Sequence, residues 1–170
     1  VSRLLGEKGL REYAAAAKIV KSKFPKANFE LVGAEDASLD AISLEEVRSW
    51  SNFIDYKGST NDVRPYIKKC HVYVLPSYHE GLPRSTLEAM SMGRPVITTD
   101  AVGCKETVDN GINGFIVPVR SVKKLAEKMI WFIENRDKIQ IMGEQSRIIV
   151  EKKFDVRIIN KEMLRILGIH

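Results

Sequence analysis

At 170 residues, with 44% hydrophobic and 29% charged side chains, the chain has the size and composition of one soluble globular domain with a sizeable core. A net charge of +5 suits an anionic ligand or an acidic membrane surface, or simply reflects surplus lysine on a solvated surface; the basic residues are dispersed and not interleaved with aromatics on one face, which excludes a nucleic-acid binder. No run approaches the ~18 apolar residues of a membrane span, and the two cysteines, Cys70 and Cys104, lack metal-ligand spacing and are too few for a disulfide scaffold, so a cytosolic compartment is expected.

Val1-Ser2-Arg3 reads as the end of a strand already under way, and the chain is expected to be part of a longer protein. Leu10, Tyr13, Ala14, Ala17 and Val20 recur at helical spacing, which predicts a helix over Gly9–Lys23, with Pro25 beyond its end. Phe29–Val32 reads as a strand closed by Gly33, and 34–42 as a loop. Ser43-Leu44-Glu45-Glu46 has capping-box spacing and predicts a short helix to about Trp50. Ser51–Tyr56 reads as a strand closed by Gly58, and a helix around Val63–Lys69 precedes an apolar strand at Val72–Leu75. A further helix covers Leu87–Met92. Pro95–Thr98 and Phe115–Val117 read as strands, separated by the turn pairs Asn110-Gly111 and Asn113-Gly114. Helices fill 121–167, with breaks near Asn135-Arg136-Asp137 and Phe154-Asp155. Their apolar positions, Leu125, Met129, Phe132 and Ile133, then Ile158, Ile159, Met163 and Ile166, are expected to pack on the sheet. Strands alternating with helices predict an α/β domain, a three-layer Rossmann-like parallel sheet with a helical tail.

In such a sheet ligands bind at the carboxyl edge of the strands, so the residues that follow each strand are the candidates. Arg3 and Lys8 sit between a strand end and a helix start, with Gly6 and Gly9. Arginine offers a fork for phosphate oxygens and lysine a point charge; the alternative is a helix-capping loop with solvated charges. Gly33 allows close approach of a ligand, although a turn needs glycine anyway. Tyr56 can stack on a base or simply pack. The richest segment is His79-Glu80-Gly81-Leu82-Pro83-Arg84-Ser85-Thr86-Leu87-Glu88, a turn from strand into helix. A helix start offers free N–H groups and a positive dipole end for phosphate. One acid before it, Glu80, and one inside it, Glu88, can hold hydroxyls on either side of that phosphate, and phosphate flanked by two polyols describes a nucleotide sugar. Ser85 or Thr86 can cap the helix or donate to phosphate, and Glu88 can instead be a surface carboxylate complementing the dipole. His79 can reach a ligand or be structural; His71 reads as structural, and Gly103–Thr107 can line the same cleft. No metal cage, Ser-His-Asp triad or Gly-rich dinucleotide loop is present in the sequence.

Taken together, Ser2-Arg3-Leu4…Glu7-Lys8-Gly9, Leu31-Val32-Gly33, Glu80-Gly81-Leu82-Pro83…Leu87-Glu88-Ala89-Met90 and Gly93-Arg94-Pro95-Val96-Ile97 resemble the C-terminal, donor-binding domain of a retaining GT-B glycosyltransferase of family 4, the glycosyl transferases group 1, over essentially the whole chain. The resemblance implies that Arg3 and Lys8 bind the donor diphosphate in place of a metal, that Glu80 holds the transferred sugar, and that Gly81, Leu82, Pro83, Arg84 and Ser85 contact phosphate or sugar oxygens. It also implies that Glu88 holds the ribose and that the segment at Tyr56, with Gly33, receives the nucleoside. Two departures stand out. Many members have Glu-Gly-Phe-Gly where this chain has Glu80-Gly81-Leu82-Pro83, and Pro83 has no N–H to offer; many have paired glycines at Gly103-Cys104. The Leu-Pro-Arg-Ser variant is similar to members that build bacterial surface polysaccharides from UDP-sugars. The implied whole is a metal-independent, cofactor-free glycosyltransferase acting on a saccharide or lipid-linked acceptor at the cytoplasmic membrane face. Its acceptor domain lies outside this chain, which alone would turn over poorly. A GT-B-like UDP-sugar epimerase and a non-catalytic nucleotide-sugar-binding module are the alternatives.

Overall fold

The structure is a computed structural model that describes residues 1–167, except for the side chain of residue 162. Its strands are short and wholly parallel. β1 (Glu30–Leu31) pairs with β2 (Asp55–Tyr56), and β3 (Tyr73–Leu75) with β4 (Val96–Thr99), which pairs in turn with β5 (Gly114–Val117). The chain before the first helix runs beside β1, with Ser2 N donating to Val32 O (3.0 Å) and Leu4 N to Ala34 O (2.9 Å).

The helices are α1 (Leu10–Lys23), α2 (Leu44–Ser49), α3 (Arg64–Lys69), α4 (Arg84–Ser91), α5 (Val122–Glu134), α6 (Asp137–Lys153) and α7 (Val156–Ile166). Two layers of them enclose the sheet. On one face Ala16 and Val20 of α1 meet Ile97, Phe115 and the α5 residues Leu125, Met129 and Phe132. On the other, Ala89 and Met90 of α4 pack with Leu75, Val96 and the α6 residues Ile149 and Val150. A third cluster joins Leu4, Leu31 and Ile42 to Val47 of α2 and to Trp50 just after it. The predicted three-layer Rossmann-like sheet is therefore present, and Ser43 caps α2 as its spacing predicts: its hydroxyl accepts from Glu46 N at 3.1 Å, while the Glu46 carboxylate pairs with Arg11 rather than closing the box.

Two local expectations fail. The strand expected over Ser51–Tyr56 is only Asp55–Tyr56, because Phe53 N and Ile54 N both donate to Trp50 O (2.9 and 2.8 Å) and extend the end of α2 as a turn. Trp50 and Ile54 are apolar because that turn packs into the core, not because a strand runs there. The tail also departs: Ile158, Met163 and Ile166 of α7, expected on the sheet, are 53%, 54% and 72% exposed.

The turn before β5 is held by Asn113, which is fully buried. Its side-chain amide accepts from Asp109 N (2.8 Å) and donates to Thr107 O (3.2 Å), while its backbone carbonyl accepts from Ser146 Oγ (3.2 Å) on α6. Asn113→Ala strands the partly buried Asp109 N–H and the buried Thr107 C=O, so it is expected to lower the unfolding free energy by about 2–4 kcal/mol in a denaturant titration. An unchanged midpoint would mean that water enters the vacated space.

Candidate functional site

The carboxyl edge of the sheet gathers the loops after each strand. The first is tied down by burial of Leu4 and Leu5, followed by a 3₁₀ turn over Gly6–Lys8. Gly9 then takes a left-handed φ of 67° and starts α1, and a Cβ there would overlap the Pro76 carbonyl oxygen at the end of β3. Only glycine lets the two loops meet so closely. Tyr78 N donates to Glu7 O at 2.7 Å across the same junction.

This contact brings together residues far apart in sequence. Lys8 Nζ lies 3.0 Å from Glu80 Oε1 and 3.1 Å from Glu7 Oε1, with the Lys8 and Glu80 side chains only 13% and 15% exposed. Burial alone would lower the Lys8 pKa, but the hydrogen bonds to Glu80 and Glu7 outweigh it and hold the ammonium more basic than usual. Glu80 is fixed from behind by the fully buried Ser77, whose Oγ donates to Oε1 at 2.8 Å. Thr99 Oγ1 in turn donates to Ser77 O at 2.5 Å. Gly103, after β4, has a φ of 80°, and a Cβ there would collide with the carbonyl oxygens of Glu80 and Gly81. Glu80 N donates to Val102 O (3.1 Å), so the β4 loop supports the β3 loop.

Arg3 stands apart from this pair. It is 63% exposed and bonds Asp36 Oδ2 at 2.6 Å. Asp36 is held below the usual carboxylate range chiefly by its hydrogen bonds from Ser38, and to a lesser degree by Arg3. Gly33 lies directly beneath: the close approach that it permits is to the chain's own Ser2 carbonyl, which a Cβ would overlap. The Tyr56 hydroxyl donates to Gly33 O at 2.9 Å, and partial burial, with the Glu35 charge, raises its pKa.

The turn into α4 is open. Gly81 is exposed, with nothing within 4 Å of the point where a Cβ would stand; Leu82 is 46% exposed, and Arg84 is exposed. Pro83 occupies the cap position and, among the described residues, no side chain caps the helix; Thr86 and Leu87 N–H donate to Pro83 O (2.9 and 3.1 Å), while the Arg84 and Ser85 N–H groups make no such bond among those residues. Of the two roles open to Ser85 and Thr86 in the sequence, capping the helix is not the one adopted. Ser85 interacts with the Tyr73 hydroxyl instead, and the Thr86 hydroxyl is buried without a partner among the described residues. Glu88 is exposed on the second turn and lies within electrostatic reach of Val1 and Tyr73. His71 and His79 are both exposed. Among the described residues, no cluster of three or more His, Cys, Asp or Glu can hold a metal, and no helix is long and apolar enough to cross a membrane.

Sequence reasoning assigned no role to Ser77, Glu7 and Asp36, the immediate partners of Glu80, Lys8 and Arg3. Small and acidic residues in loops carry no periodic signal, so only the fold reveals them. It also missed Arg120, which sits 4.6 Å over the Tyr78 ring and steadies the β3 loop from the far side.

Residues 1–148 match the family model described as glycosyl transferases group 1. The chain is 31% identical, over 98% of its length, to the N,N'-diacetylbacillosaminyl-diphospho-undecaprenol alpha-1,3-N-acetylgalactosaminyltransferase of Campylobacter jejuni. It is 30% identical, over 96% of its length, to the capsular polysaccharide biosynthesis glycosyltransferase CapM of Staphylococcus aureus. It spans 43% of the length of each of these relatives. Anabaena HepE, solved in complex with UDP, has the same fold: TM-score 0.86, 24% identity, covering 98% of this chain and 48% of that one. With a parallel sheet, a glycine-mediated junction between its loops and a family match over most of its length, the chain belongs to the glycosyl transferases group 1 family, as a C-terminal GT-B domain.

Proposed function

We propose that this chain is the donor-binding domain of a retaining glycosyltransferase that needs no metal, and that its ligand is a nucleoside diphosphate sugar, UDP-linked. The observation that carries this reading is the nearly buried Lys8 ammonium, 3.0 Å from Glu80 at the carboxyl edge of the sheet, beside the uncapped start of α4. A cation held there by the fold meets a diphosphate without reordering, and the helix start adds free N–H groups and a positive dipole end.

In this reading Lys8 and Arg3 bind the diphosphate and neutralise the charge that develops on the departing nucleotide, the task a metal performs elsewhere. Arg3 must exchange Asp36 for phosphate; its exposure makes that exchange cheap, since exposed ion pairs contribute about 0–1 kcal/mol. Glu80, oriented by Ser77, holds hydroxyls of the transferred sugar. The Gly81, Leu82, Arg84 and Ser85 N–H groups face phosphate and sugar oxygens, and Pro83 shapes the turn without donating. Glu88 holds the ribose, and the Gly33–Tyr56 edge receives the base. Presence of Arg3, Lys8 and Glu80 together favours an enzyme domain over a non-catalytic module.

The whole protein is proposed to act at the cytoplasmic membrane face on a saccharide or lipid-linked acceptor in surface polysaccharide synthesis; the names of the Campylobacter and Staphylococcus relatives support this. The acceptor side lies on a further domain. Catalysis depends on holding both substrates together, worth about 7–11 kcal/mol in favourable cases, so this domain alone is expected to bind donor and turn over poorly. The test is calorimetric titration of UDP, GDP and inorganic phosphate into the chain. UDP is expected to bind most tightly; if neither nucleotide binds better than phosphate, the donor-site reading is wrong.

A further inference from the structure

The chain leaves β5 through a turn over Pro118–Ser121, closed by Ser121 N donating to Pro118 O at 3.2 Å. The third residue of that turn, Arg120, has a φ of 60°, and among the described residues no other non-glycine residue has a positive φ. A turn of this kind usually carries glycine or asparagine at that place, because a Cβ there crowds the backbone. The turn has other anchors. Val119 N donates to Asp100 Oδ1 at 3.1 Å, and Leu125 N donates to Ser121 O at 3.0 Å as α5 begins. Backbone strain persists where its surroundings hold it in place, and what holds Arg120 is its side chain.

The Arg120 guanidinium lies 4.6 Å over the Tyr78 ring. It also reaches the Tyr78 oxygen, where it opposes the rise in pKa imposed by burial and by the bond to Glu12. The Tyr78 hydroxyl donates to Glu12 Oε1 at 2.6 Å, and Glu12 Oε2 is buried without a partner among the described residues. The half-buried Tyr78 is thus held between a cation on its ring and a carboxylate on its hydroxyl. The loops after β3 and β5 and the first turn of α1 all meet on this one side chain.

Tyr78 passes that grip on. Its N–H donates to Glu7 O at 2.7 Å, and Glu7 Oε1 is 3.1 Å from Lys8 Nζ. Its neighbour Ser77 donates to Glu80 Oε1 at 2.8 Å. A single residue therefore adjoins both the partner of Lys8 and the partner of Glu80.

We propose that Arg120 is a positioning residue for the Lys8–Glu80 pair, acting through Tyr78 and touching no ligand itself. The use of that alignment rests on the donor-site reading; the brace itself does not. Arginine at this turn strains the backbone, so it is kept for alignment and not for stability. Glycine at 120 would relax the turn and release the ring. A residue kept for the fold alone would lose stability on removal, whereas this one gives up the alignment and leaves stability intact.

The experiment compares the chain with its Arg120→Gly and Arg120→Lys variants. It follows trace acetylation of Lys8 by peptide mass spectrometry, the thermal midpoint, and calorimetric titration of UDP. Acetylation needs the free amine, which the bonds to Glu80 and Glu7 hold back. Arg120→Gly is expected to speed Lys8 acetylation and weaken UDP binding, each about threefold to fivefold, as suits the loss of one exposed cation–π contact. The midpoint is expected to be no lower than that of the unchanged chain. Arg120→Lys keeps a cation for the ring and is expected to recover part of both effects. Acetylation at the unchanged rate, acetylation that rises only with a lowered midpoint, or a lysine that recovers nothing would overturn the proposal. Acetylation needs no donor, so it judges the brace even in a chain that binds no UDP. Faster acetylation with undiminished UDP affinity would support the brace and count against Lys8 as a diphosphate ligand.

Discussion

Lys8→Ala is expected to weaken UDP binding about a hundredfold while leaving uridine binding nearly unchanged. The factor corresponds to about 2.7 kcal/mol, the size of a charge-assisted hydrogen bond made in a partly desolvated site. The geometry explains why the loss is selective. Lys8 Nζ is locked between Glu7 and Glu80, at 3.1 and 3.0 Å, and has no role at the Gly33–Tyr56 edge. Removing it also leaves Glu80 with Ser77 Oγ as its remaining side-chain partner, so a drop in stability of about 1–2 kcal/mol accompanies the loss of affinity. Paired titrations of UDP and uridine, with a denaturant curve for each variant, separate the two effects. Equal losses for both ligands would show that Lys8 only shapes the loop. A Lys8→Arg variant is expected to recover part of the diphosphate affinity, because charge is kept while the fit between the two carboxylates is not.

Gly9→Ala is expected to be among the most damaging small substitutions in the site. Its φ of 67° is the left-handed region, which costs an L-residue about 1–2 kcal/mol. The added Cβ would also overlap the Pro76 carbonyl oxygen, a backbone atom that cannot swing aside. Overpacking of this kind costs about 1–3 kcal/mol more. The sum, about 2–5 kcal/mol, lowers the melting temperature of a domain this size by roughly 4–20 °C. UDP affinity is expected to fall with it, because the same contact sets Lys8 beside Glu80. Gly81→Ala is the control: nothing lies within 4 Å of its Cβ position, and its backbone is not left-handed. Thermal unfolding of the two variants side by side tests the assignment, and similar melting temperatures would refute it.

The order of strands and helices was legible because each long helix carries its own apolar period. α1 and α5 fall where Leu10–Val20 and Leu125–Ile133 predict them, and α6 fills the stretch between the breaks at Asn135-Arg136-Asp137 and Phe154-Asp155. Ser51–Tyr56 was misread because Trp50, Phe53 and Ile54 are apolar for a packed turn, and a short apolar run does not distinguish a turn from a strand. The face of α7 was legible as amphipathic, but a sequence period does not say what covers it, and its apolar side chains are exposed. Within the site, the individual loops were foreseeable from their place after strands. Their couplings were not: Lys8 with Glu80, Arg3 with Asp36 and Ser77 behind Glu80 link positions chosen by the fold rather than by local spacing.

The junction between the first loop and the loop after β3 has a kinetic meaning. Tyr78 N is bonded to Glu7 O, the Tyr78 hydroxyl donates to Glu12 Oε1 at 2.6 Å, and Gly9 sits against Pro76. Two segments latched at several points do not wander independently while the site is empty. On the proposed donor-site reading, an arriving diphosphate finds Lys8 and Glu80 already set side by side, and Arg3, released from Asp36, is the group that has to move before capture is complete.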